Sequence, residues 1–338
     1  MNTLEFAIWR PDLFEEGFTQ LNSGVPIDRI IFYAQQEFEY NVFQHFEALV
    51  DYSDIHDISF YIIITTSKFV KPLHDFVNPR HRNVILQNWG TYLLTDTIFH
   101  LRFQPEPKPD PDPFKFPFIS MNNKPHAHRS LMMDTLAKYN LIDSGAVSWR
   151  EEQYASESHV ALIYPYKYWT PIKKILTEYD STVFNHLSVP KEYNQSLVQL
   201  VVESAARHLI ASEKTWMPLI CKKPFIVFGS QHHHAMLQDY GFVLYDEIFD
   251  YSFDEEPDPA IRADAIVRSL IRIVNFTVAD QHKIYDRLLP KLEFNYNLAM
   301  TLAKDINQIP EIIKEGYQDP NHLYHSRHIV DFIYDAQL

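Results

Sequence analysis

Two neighbouring segments of the chain combine residue types that suit the binding of an anion. Ser212, Glu213 and Lys214 open an apolar helical pattern, and a short strand pattern that ends in glycine follows over 222–229. The start of a helix presents unpaired backbone N–H groups and the positive end of the helix dipole, which favour a diphosphate. Lys214 would add a full positive charge, and the Glu213 carboxylate suits ribose hydroxyls. The alternative is an ordinary surface ion pair, which contributes little.

Further polar residues follow other predicted strands. Glu37 comes shortly after a predicted strand over 29–34, and Glu203 and Ser204 directly follow one over 197–202. A third set follows the predicted strand over 116–121: Asn122, His126, His128 and Arg129. Because ligands of open α/β sheets bind at the carboxyl ends of the strands, all three sets are candidates for one ligand cleft.

The elements that must position these residues alternate along the chain, which predicts an α/β fold built from parallel βαβ units. The predicted strands are short apolar runs, of which 58–64 is rich in β-branched and aromatic residues: 29–34, 58–64, 84–86, 97–103, 116–121, 160–164, 197–202 and 224–229. The predicted helices are 40–50, 125–139, 211–218 and most of the chain from about 279, with a break at 308–310. No internal repeat and no coiled-coil heptad is visible.

A proline-rich segment divides the chain. Residues 105–113, Pro-Glu-Pro-Lys-Pro-Asp-Pro-Asp-Pro, cannot sustain a helix or a central strand and favour a stiff, extended connector. A proline-rich recognition ligand is the alternative. We therefore predict an α/β domain over 1–113 that ends in this linker, a second α/β domain over 114–278 and a helical segment over 279–338, with a ligand cleft between the two domains.

Composition narrows the classes of function. The chain has 338 residues, and 30 Lys+Arg against 44 Asp+Glu give a formal charge of −14. This charge argues against broad non-specific binding of nucleic acid or anionic membrane, although a local basic cleft is compatible with it. Only 7 glycines are present, and no GxGxxG, Walker or GxSxG sequence occurs. A glycine-rich phosphate loop and a serine hydrolase are therefore disfavoured.

The sequence also predicts a compartment. Cys221 is the single cysteine, so no intrachain disulfide can form, and we expect a reducing compartment and a buried thiol. The first residues lack the basic start and long apolar run of a signal peptide. The longest apolar run, over 58–66, is too short to cross a bilayer. These features predict a cytoplasmic protein without a membrane span.

The 17 histidines raise the alternative of a metal site. They include three groups at short spacing: His126 and His128; His232, His233 and His234; and His322, His325 and His328. Zinc sites use histidines at such spacings. However, no HExxH occurs, and adjacent histidines cannot all turn their rings to one metal. We therefore predict no metal; an alternative role for His232 is to contact a bound sugar or diphosphate, which the sequence leaves open.

Six segments, in the same order, resemble the α1,3-fucosyltransferase family. Residues 118–129 resemble the Ser-Asn…Arg segment that starts the donor half of these enzymes. The other five are 31–37 (the family's Phe-Tyr-Thr-Gly-Glu), 141–148 (its next strand-turn segment), 201–204 (Phe-Glu-Asn-Ser), 212–214 (Thr-Glu-Lys) and 224–229 (Pro-Ile-Tyr-Trp-Gly). The same segments are similar to uncharacterised glycosyltransferase-like proteins of large bacterial viruses, for which the compartment would be the host cytoplasm. The resemblance covers most of 29–250.

The resemblance implies a GT-B fold, in which two Rossmann-like domains face each other across a cleft. It implies inverting, metal-independent transfer of a sugar from a nucleotide-sugar, with no other cofactor. The first domain would then lie on the acceptor side, and the second would bind the nucleotide-sugar. The roles implied are general base for Glu37, diphosphate binding for Arg129 and Lys214, ribose binding for Glu213, and lining of the donor pocket for Glu203.

The chain also departs from the family pattern. Ile210 stands where the family often has a tyrosine, Gln35 and Gln36 stand where it has Thr-Gly, and its Glu-Asn-Ser is shortened to Glu203-Ser204. These changes fall on contacts with the donor base and sugar. They therefore bear on the identity of the donor, GDP-fucose included, more than on the chemistry.

The sequence leaves several functions open. We expect a glycan or small acceptor, and transfer to a hydroxylated base of viral DNA is the alternative. A histidine-dependent metal hydrolase and a non-catalytic interaction protein on a decayed transferase fold are further alternatives. The presence of Glu37, Arg129, Glu213 and Lys214 favours an active transferase over a decayed one.

Overall fold

The computed structural model divides the chain into two compact units. The N-terminal unit comprises Met1–Phe99 and Thr301–Leu338, and the central unit comprises His100–Met300. The residues that the structure describes are 2–7, 11–34, 40–65, 83–101, 114–122, 126–149, 189–204, 206, 209, 211–317 and 327–335.

Each unit contains, among its described residues, a four-stranded parallel sheet, which confirms the predicted α/β class. The strands of the N-terminal unit are β1 (Thr3–Ala7), β2 (Arg29–Ala34), β3 (Ser59–Ile64) and β4 (Val84–Asn88). The strands of the central unit are β5 (Phe116–Asn122), β6 (Ala146–Trp149), β7 (Ser196–Val202) and β8 (Phe225–Phe228).

Helices connect and follow these strands. Over the described residues they are α1 (Pro11–Asn22), α2 (Tyr40–His56), α3 (Tyr92–Leu101), α4 (Ala127–Lys138), α5 (Lys191–Asn194), α6 (Glu213–Ile220), α7 (His233–Asp239), α8 (Pro259–Val274), α9 (Val278–Ala303), α10 (Glu311–Tyr317) and α11 (Arg327–Asp335). Two short 3₁₀ helices span Ser252–Glu255 and Ile306–Gln308. No helix in the described ranges is long and apolar enough to cross a membrane.

The sheet of the N-terminal unit has its strands in chain order, β1-β2-β3-β4. Right-handed crossovers that step in one direction place their helices on one face of the sheet. Ile30 and Phe32 of β2 accordingly pack in one cluster with Phe18 of α1 and Leu49 of α2. This topology leaves the opposite face of the sheet to be covered by another part of the chain.

The C-terminal helices cover that opposite face. Ile31 and Tyr33, which alternate with the residues of the first cluster, pack with Ile313 of α10 and with Ile329 and Ile333 of α11. All five side chains are almost completely buried, and burying an isoleucine contributes about 1.5–3 kcal/mol. Helices α10 and α11 are therefore part of the core of the N-terminal unit.

The sheet of the central unit has the order β6-β5-β7-β8. After β6 is added on one side of β5, β7 and β8 are added on the other side, so the direction in which strands are added reverses at β5 and β7. The helices that follow these two strands lie on opposite faces. On one face, Asn122 of β5 donates hydrogen bonds to Ser120 of the same strand and to Met133 of α4. Ile119 of the same strand packs with Met217 of α6 on the other. The carboxyl ends of β5 and β7 thus form a topological switch point, where ligands of open α/β sheets bind.

Most of the predicted elements that fall on described residues are confirmed, and one is wrong. The predicted strand over 97–103 overlaps α3, which is a helix up to Leu101. Strand β1 and helices α1, α5, α7 and α8 have no predicted counterpart. The predicted strand over 160–164 and the proline-rich connector over 105–113 lie outside the described residues. The predicted domain limits at 113 and 278, and the cleft between domains, stay predictions.

Candidate functional site

The carboxyl edge of the central sheet is organised around Glu203, the first residue after β7. Its carboxylate is fully buried and accepts four hydrogen bonds. The donors are the backbone N–H groups of Ser204 (2.7 Å) and Ser212 (2.9 Å), and the hydroxyls of Ser212 (2.6 Å) and Thr215 (2.6 Å). One carboxylate therefore ties both ends of the segment over 204–212, and the first turn of α6, to the end of β7.

The main-chain carbonyl of Glu203 joins the same edge to α4. It accepts a hydrogen bond from His128 Nε2 at 2.7 Å and a longer one from Arg129 at 3.4 Å. Both side chains are buried, and both belong to the first turn of α4. A carbonyl can only accept, so His128 carries its proton on Nε2. Glu203 thus contacts the helices that follow both switch-point strands.

Lys214 reaches the same place from α6. Its ammonium group donates to the Ser204 hydroxyl at 3.0 Å and also pairs with the Glu213 carboxylate. The side chains of Lys214 and Glu213 are 27% and 37% exposed, so solvent reaches this pair. Ser212 caps α6 by accepting from the Lys214 backbone N–H at 3.3 Å. Arg129 and Lys214, which the sequence places 85 positions apart, therefore both contact the dipeptide Glu203-Ser204.

The charges at this edge act on one another. Burial raises the pKa of the Glu213 carboxyl, but the charge and hydrogen bond of Lys214 and the charge of Arg129 lower it more, and the net shift is downward. Burial, assisted by Arg129, lowers the pKa of His128 to about 3. The edge therefore holds ionised Glu213 beside two cations and a neutral His128, whose ring is parallel to that of His126 at 5.8 Å.

A second histidine, His233, contacts the site through the Thr215 hydroxyl. The Thr215 hydroxyl has one proton and gives it to Glu203, so at 3.2 Å it must accept from His233 Nε2. His233 is buried, and burial together with neighbouring His234 lowers its pKa to about 3. His233 is therefore neutral, and it completes a hydrogen-bonded chain from α7 through α6 to Glu203.

Asp254 fixes the start of α7, which carries His233. The residue before this helix, His232, has a positive φ of 64° and makes no capping hydrogen bond. Asp254 instead accepts from the backbone N–H groups of His234 (3.1 Å) and Ala235 (3.0 Å) and from His234 Nδ1 (2.9 Å). Burial opposes ionisation of Asp254, but these hydrogen bonds outweigh it and hold its pKa at about 2. A distant carboxylate thus caps the helix.

Gly229, at the end of β8, makes room for this arrangement. A Cβ atom at this position would lie 2.9 Å from His233 Nδ1 and 3.5 Å from Glu203 Cβ. We expect Gly229→Ala to reduce the free energy of unfolding by about 1–3 kcal/mol, because a fixed ring would have to move. Chemical denaturation measures this cost. In a His233→Ala background the cost should largely disappear, and an equal cost in both backgrounds would contradict the proposed contact.

The structure brings together four of the five predicted site residues: Arg129, Glu203, Glu213 and Lys214. Glu37, the predicted general base, lies outside the described residues, so its position stays a prediction. The lining of a donor pocket by Glu203 also stays a prediction, since the structure shows its carboxylate engaged with the protein. Thr215, His233 and Asp254 were not predicted. The sequence holds two signals for them: the run of histidines at 232–234, which indicates a ligand or a metal, and the position of Thr215 directly after Lys214.

Two other predictions concern the same region. The acidic stretch over 246–258 has the composition of a solvated loop, but the structure corrects this interpretation for Asp254, which is buried. Cys221 is buried and unpaired, as predicted. Within the described ranges, no group of three or more His, Cys, Asp or Glu residues is arranged to hold a metal ion. His322 and His325 lie outside those ranges.

The fold and the site together define an α/β protein in which two cationic side chains meet at a switch point of a parallel sheet. Comparison with known proteins gives no match: no family model, no curated protein and no solved structure matches the chain.

Proposed function

We propose that this protein is an inverting, metal-independent glycosyltransferase that moves a sugar from a nucleotide-sugar to an acceptor hydroxyl. One observation carries the proposal: Arg129 and Lys214, from helices on opposite faces of the central sheet, meet at its switch point beside Glu203 and Ser204. Two units that each contain a parallel sheet are also compatible with the GT-B arrangement implied by the resemblance to α1,3-fucosyltransferases.

The site suits a diphosphate leaving group. When the bond from the anomeric carbon to the diphosphate breaks, negative charge develops on the diphosphate oxygen and must be stabilised. Without a metal, Arg and Lys supply the positive charge, Arg through two parallel hydrogen bonds and Lys as a point charge. The first turns of α4 and α6 add the positive ends of two helix dipoles at the same place.

Glu213 has a part in this proposal. In the structure Lys214 pairs with Glu213, so a diphosphate has to take the place of that carboxylate at the Lys214 ammonium group. The displaced Glu213 then accepts hydrogen bonds from the ribose hydroxyls of the donor. Because the pair is partly exposed, this exchange does not require a buried charge to be left unpaired.

Glu37 completes the proposed chemistry. It follows the carboxyl end of β2, the edge at which ligands bind to parallel sheets. Its carboxylate would take the proton of the acceptor hydroxyl as that oxygen attacks the anomeric carbon. The diphosphate leaves from the opposite side of the sugar, which inverts the configuration.

A thermal-shift panel of nucleotide-sugars and nucleoside diphosphates tests the proposal. A ligand that binds only the folded state raises the melting temperature by mass action. We expect one nucleotide family to raise it with and without chelator. Stabilisation that is lost on adding chelator would favour a histidine-dependent metal enzyme, and the absence of any shift across the panel would contradict the proposal.

The acceptor is expected to be a glycan or a small hydroxyl compound. The formal charge of −14 disfavours a DNA duplex, although the aromatic residues that neighbour Glu37 in the sequence suit sugars and nucleobases alike. Assays with the donor found in the panel should show transfer to glycans or small acceptors and none to duplex DNA with hydroxylated bases. Transfer to such DNA with inert glycans would show that this expectation is wrong and that the viral-DNA alternative holds.

A further inference from the structure

Two cationic side chains contact the dipeptide Glu203-Ser204, yet the hydrogen bonds to the Glu203 carboxylate come from neutral groups. Its donors are two backbone N–H groups and two hydroxyls, those of Ser212 and Thr215. Arg129 meets Glu203 at the main-chain carbonyl, and Lys214 meets the neighbouring Ser204 hydroxyl. The Glu203 carboxylate is therefore stabilised by backbone N–H groups and hydroxyls and does not form an ion pair with Lys214, which pairs with Glu213.

We propose that Glu203 and Thr215 are positioning residues, which hold the first turn of α6 so that Lys214 stands opposite Arg129 across a bound diphosphate. This inference rests on the proposed function and adds to it, because it assigns to Glu203 a role that acts through Lys214. In the resemblance Glu203 instead lines the donor pocket.

The geometry of Thr215 carries this assignment. Its hydroxyl bonds Glu203 at 2.6 Å, and its backbone follows that of Lys214 by one residue in the first turn of α6. His233 donates to the same hydroxyl, so Thr215 is held on both sides and is fully buried. A shift of this turn would move the Lys214 ammonium group away from Ser204 and from the carbonyl that Arg129 contacts.

The fixed turn matters because a diphosphate needs both cations at once. A cation that is already in place loses little freedom when the ligand arrives, so pre-organisation converts directly into affinity. Loosening the turn would leave both charges present and cost affinity for the diphosphate. A purely structural role for Glu203 and Thr215 would lower stability and leave the affinity of the folded protein unchanged.

Calorimetry with pyrophosphate, the diphosphate alone, distinguishes these roles in the full chain. Thr215→Val keeps the shape of the side chain and removes the hydroxyl, and we expect about tenfold weaker binding, the scale of one buried hydrogen bond. Thr215→Ser keeps the hydroxyl and should bind within about threefold of the wild type. Thr135→Val is the matched control, since Thr135 is a buried threonine of α4 whose hydroxyl bonds the Leu131 carbonyl of the same helix. It should leave the dissociation constant unchanged.

A double-mutant cycle then tests whether the effect passes through Lys214. In a Lys214→Ala background, Thr215→Val should weaken pyrophosphate binding by less than about twofold, because the cation that it positions is gone. Binding stoichiometry reports any misfolded fraction separately from the dissociation constant. Unchanged affinity in Thr215→Val, or an equal tenfold loss in both backgrounds, would overturn the positioning role alone. A wild type that binds neither pyrophosphate nor nucleoside diphosphates would overturn the proposed function with it.

Discussion

Glu37→Gln should lower kcat by about 10²–10⁴-fold, the range that general bases typically contribute. Glutamine keeps the size and polarity of the side chain and removes its basicity. The affinity for the donor should hardly change, because the carboxylate acts on the acceptor proton and not on the diphosphate. Steady-state kinetics, combined with donor titration, measures both quantities.

Glu39→Gln is the matched control, since Glu39 is the nearest acidic neighbour of Glu37 in the sequence. It should retain near-normal turnover. Normal turnover in Glu37→Gln with a collapse in Glu39→Gln would move the role to Glu39. Normal turnover in both variants would remove this segment from the mechanism.

Acid should destabilise the central unit through His128 and His233. Both histidines have a pKa of about 3 in the folded protein, lowered by burial, against about 6.5 in an unfolded chain. Below pH 6.5 the unfolded state therefore binds more protons. The stability that neutral histidines contribute is complete above pH 6.5 and is lost as pH falls towards 3, at up to about 1.4 kcal/mol per pH unit for each histidine.

His128→Gln and His233→Gln test this prediction, because glutamine can still donate from the position of Nε2 but does not titrate. Between pH 4 and 6 each variant should lose stability less steeply than the wild type, by about one proton, in urea denaturation. Burial raises the pKa of Asp134 to about 6, so this group makes stability rise as pH falls. It does so equally in the wild type and in the variants. Exposed His282 supplies the control His282→Gln, and equal slopes in all four proteins would contradict the prediction.

The sequence predicts strands well where a strand is buried on both faces. The runs at Arg29–Ala34, Ser59–Ile64 and Ser196–Val202 are short and mostly apolar, and the first two are mostly β-branched or aromatic, as is typical of buried parallel strands. Their order in the sheets, and the switch point between β5 and β7, depend on contacts between distant segments. A sequence pattern alone does not contain that information.

The error at 97–103 has a related cause. Helix α3 is largely buried, so it lacks the polar face that would reveal a helical period. Thr97 and Ile98 are β-branched and favour a strand, yet in the helix the Thr97 hydroxyl bonds the Leu93 carbonyl. A short apolar run of this kind cannot be assigned to strand or helix by periodicity alone.

The site was predicted only in part for the same physical reason. Arg129 and Glu203 come shortly after predicted strands, and Lys214 opens a predicted helix, so local patterns were enough to single out these three residues. Thr215, His233 and Asp254 act through contacts between segments about twenty residues apart in the sequence. A local sequence pattern does not show such contacts. The packing of α10 and α11 on the N-terminal sheet could not be predicted either, because an amphipathic pattern shows that a helix buries one face but not which element covers that face.

Titration calorimetry of a nucleoside diphosphate tests the central claim most directly. The account predicts one binding site in the wild type, and Lys214→Ala and Arg129→Ala should each weaken binding by about 1.5–3 kcal/mol, the scale of a charge-assisted hydrogen bond. Lys222→Ala is the control, because Lys222 lies beyond the end of α6 and pairs with Glu293. It should bind as the wild type does. Unchanged affinity in both Lys214→Ala and Arg129→Ala would contradict a diphosphate site between α4 and α6.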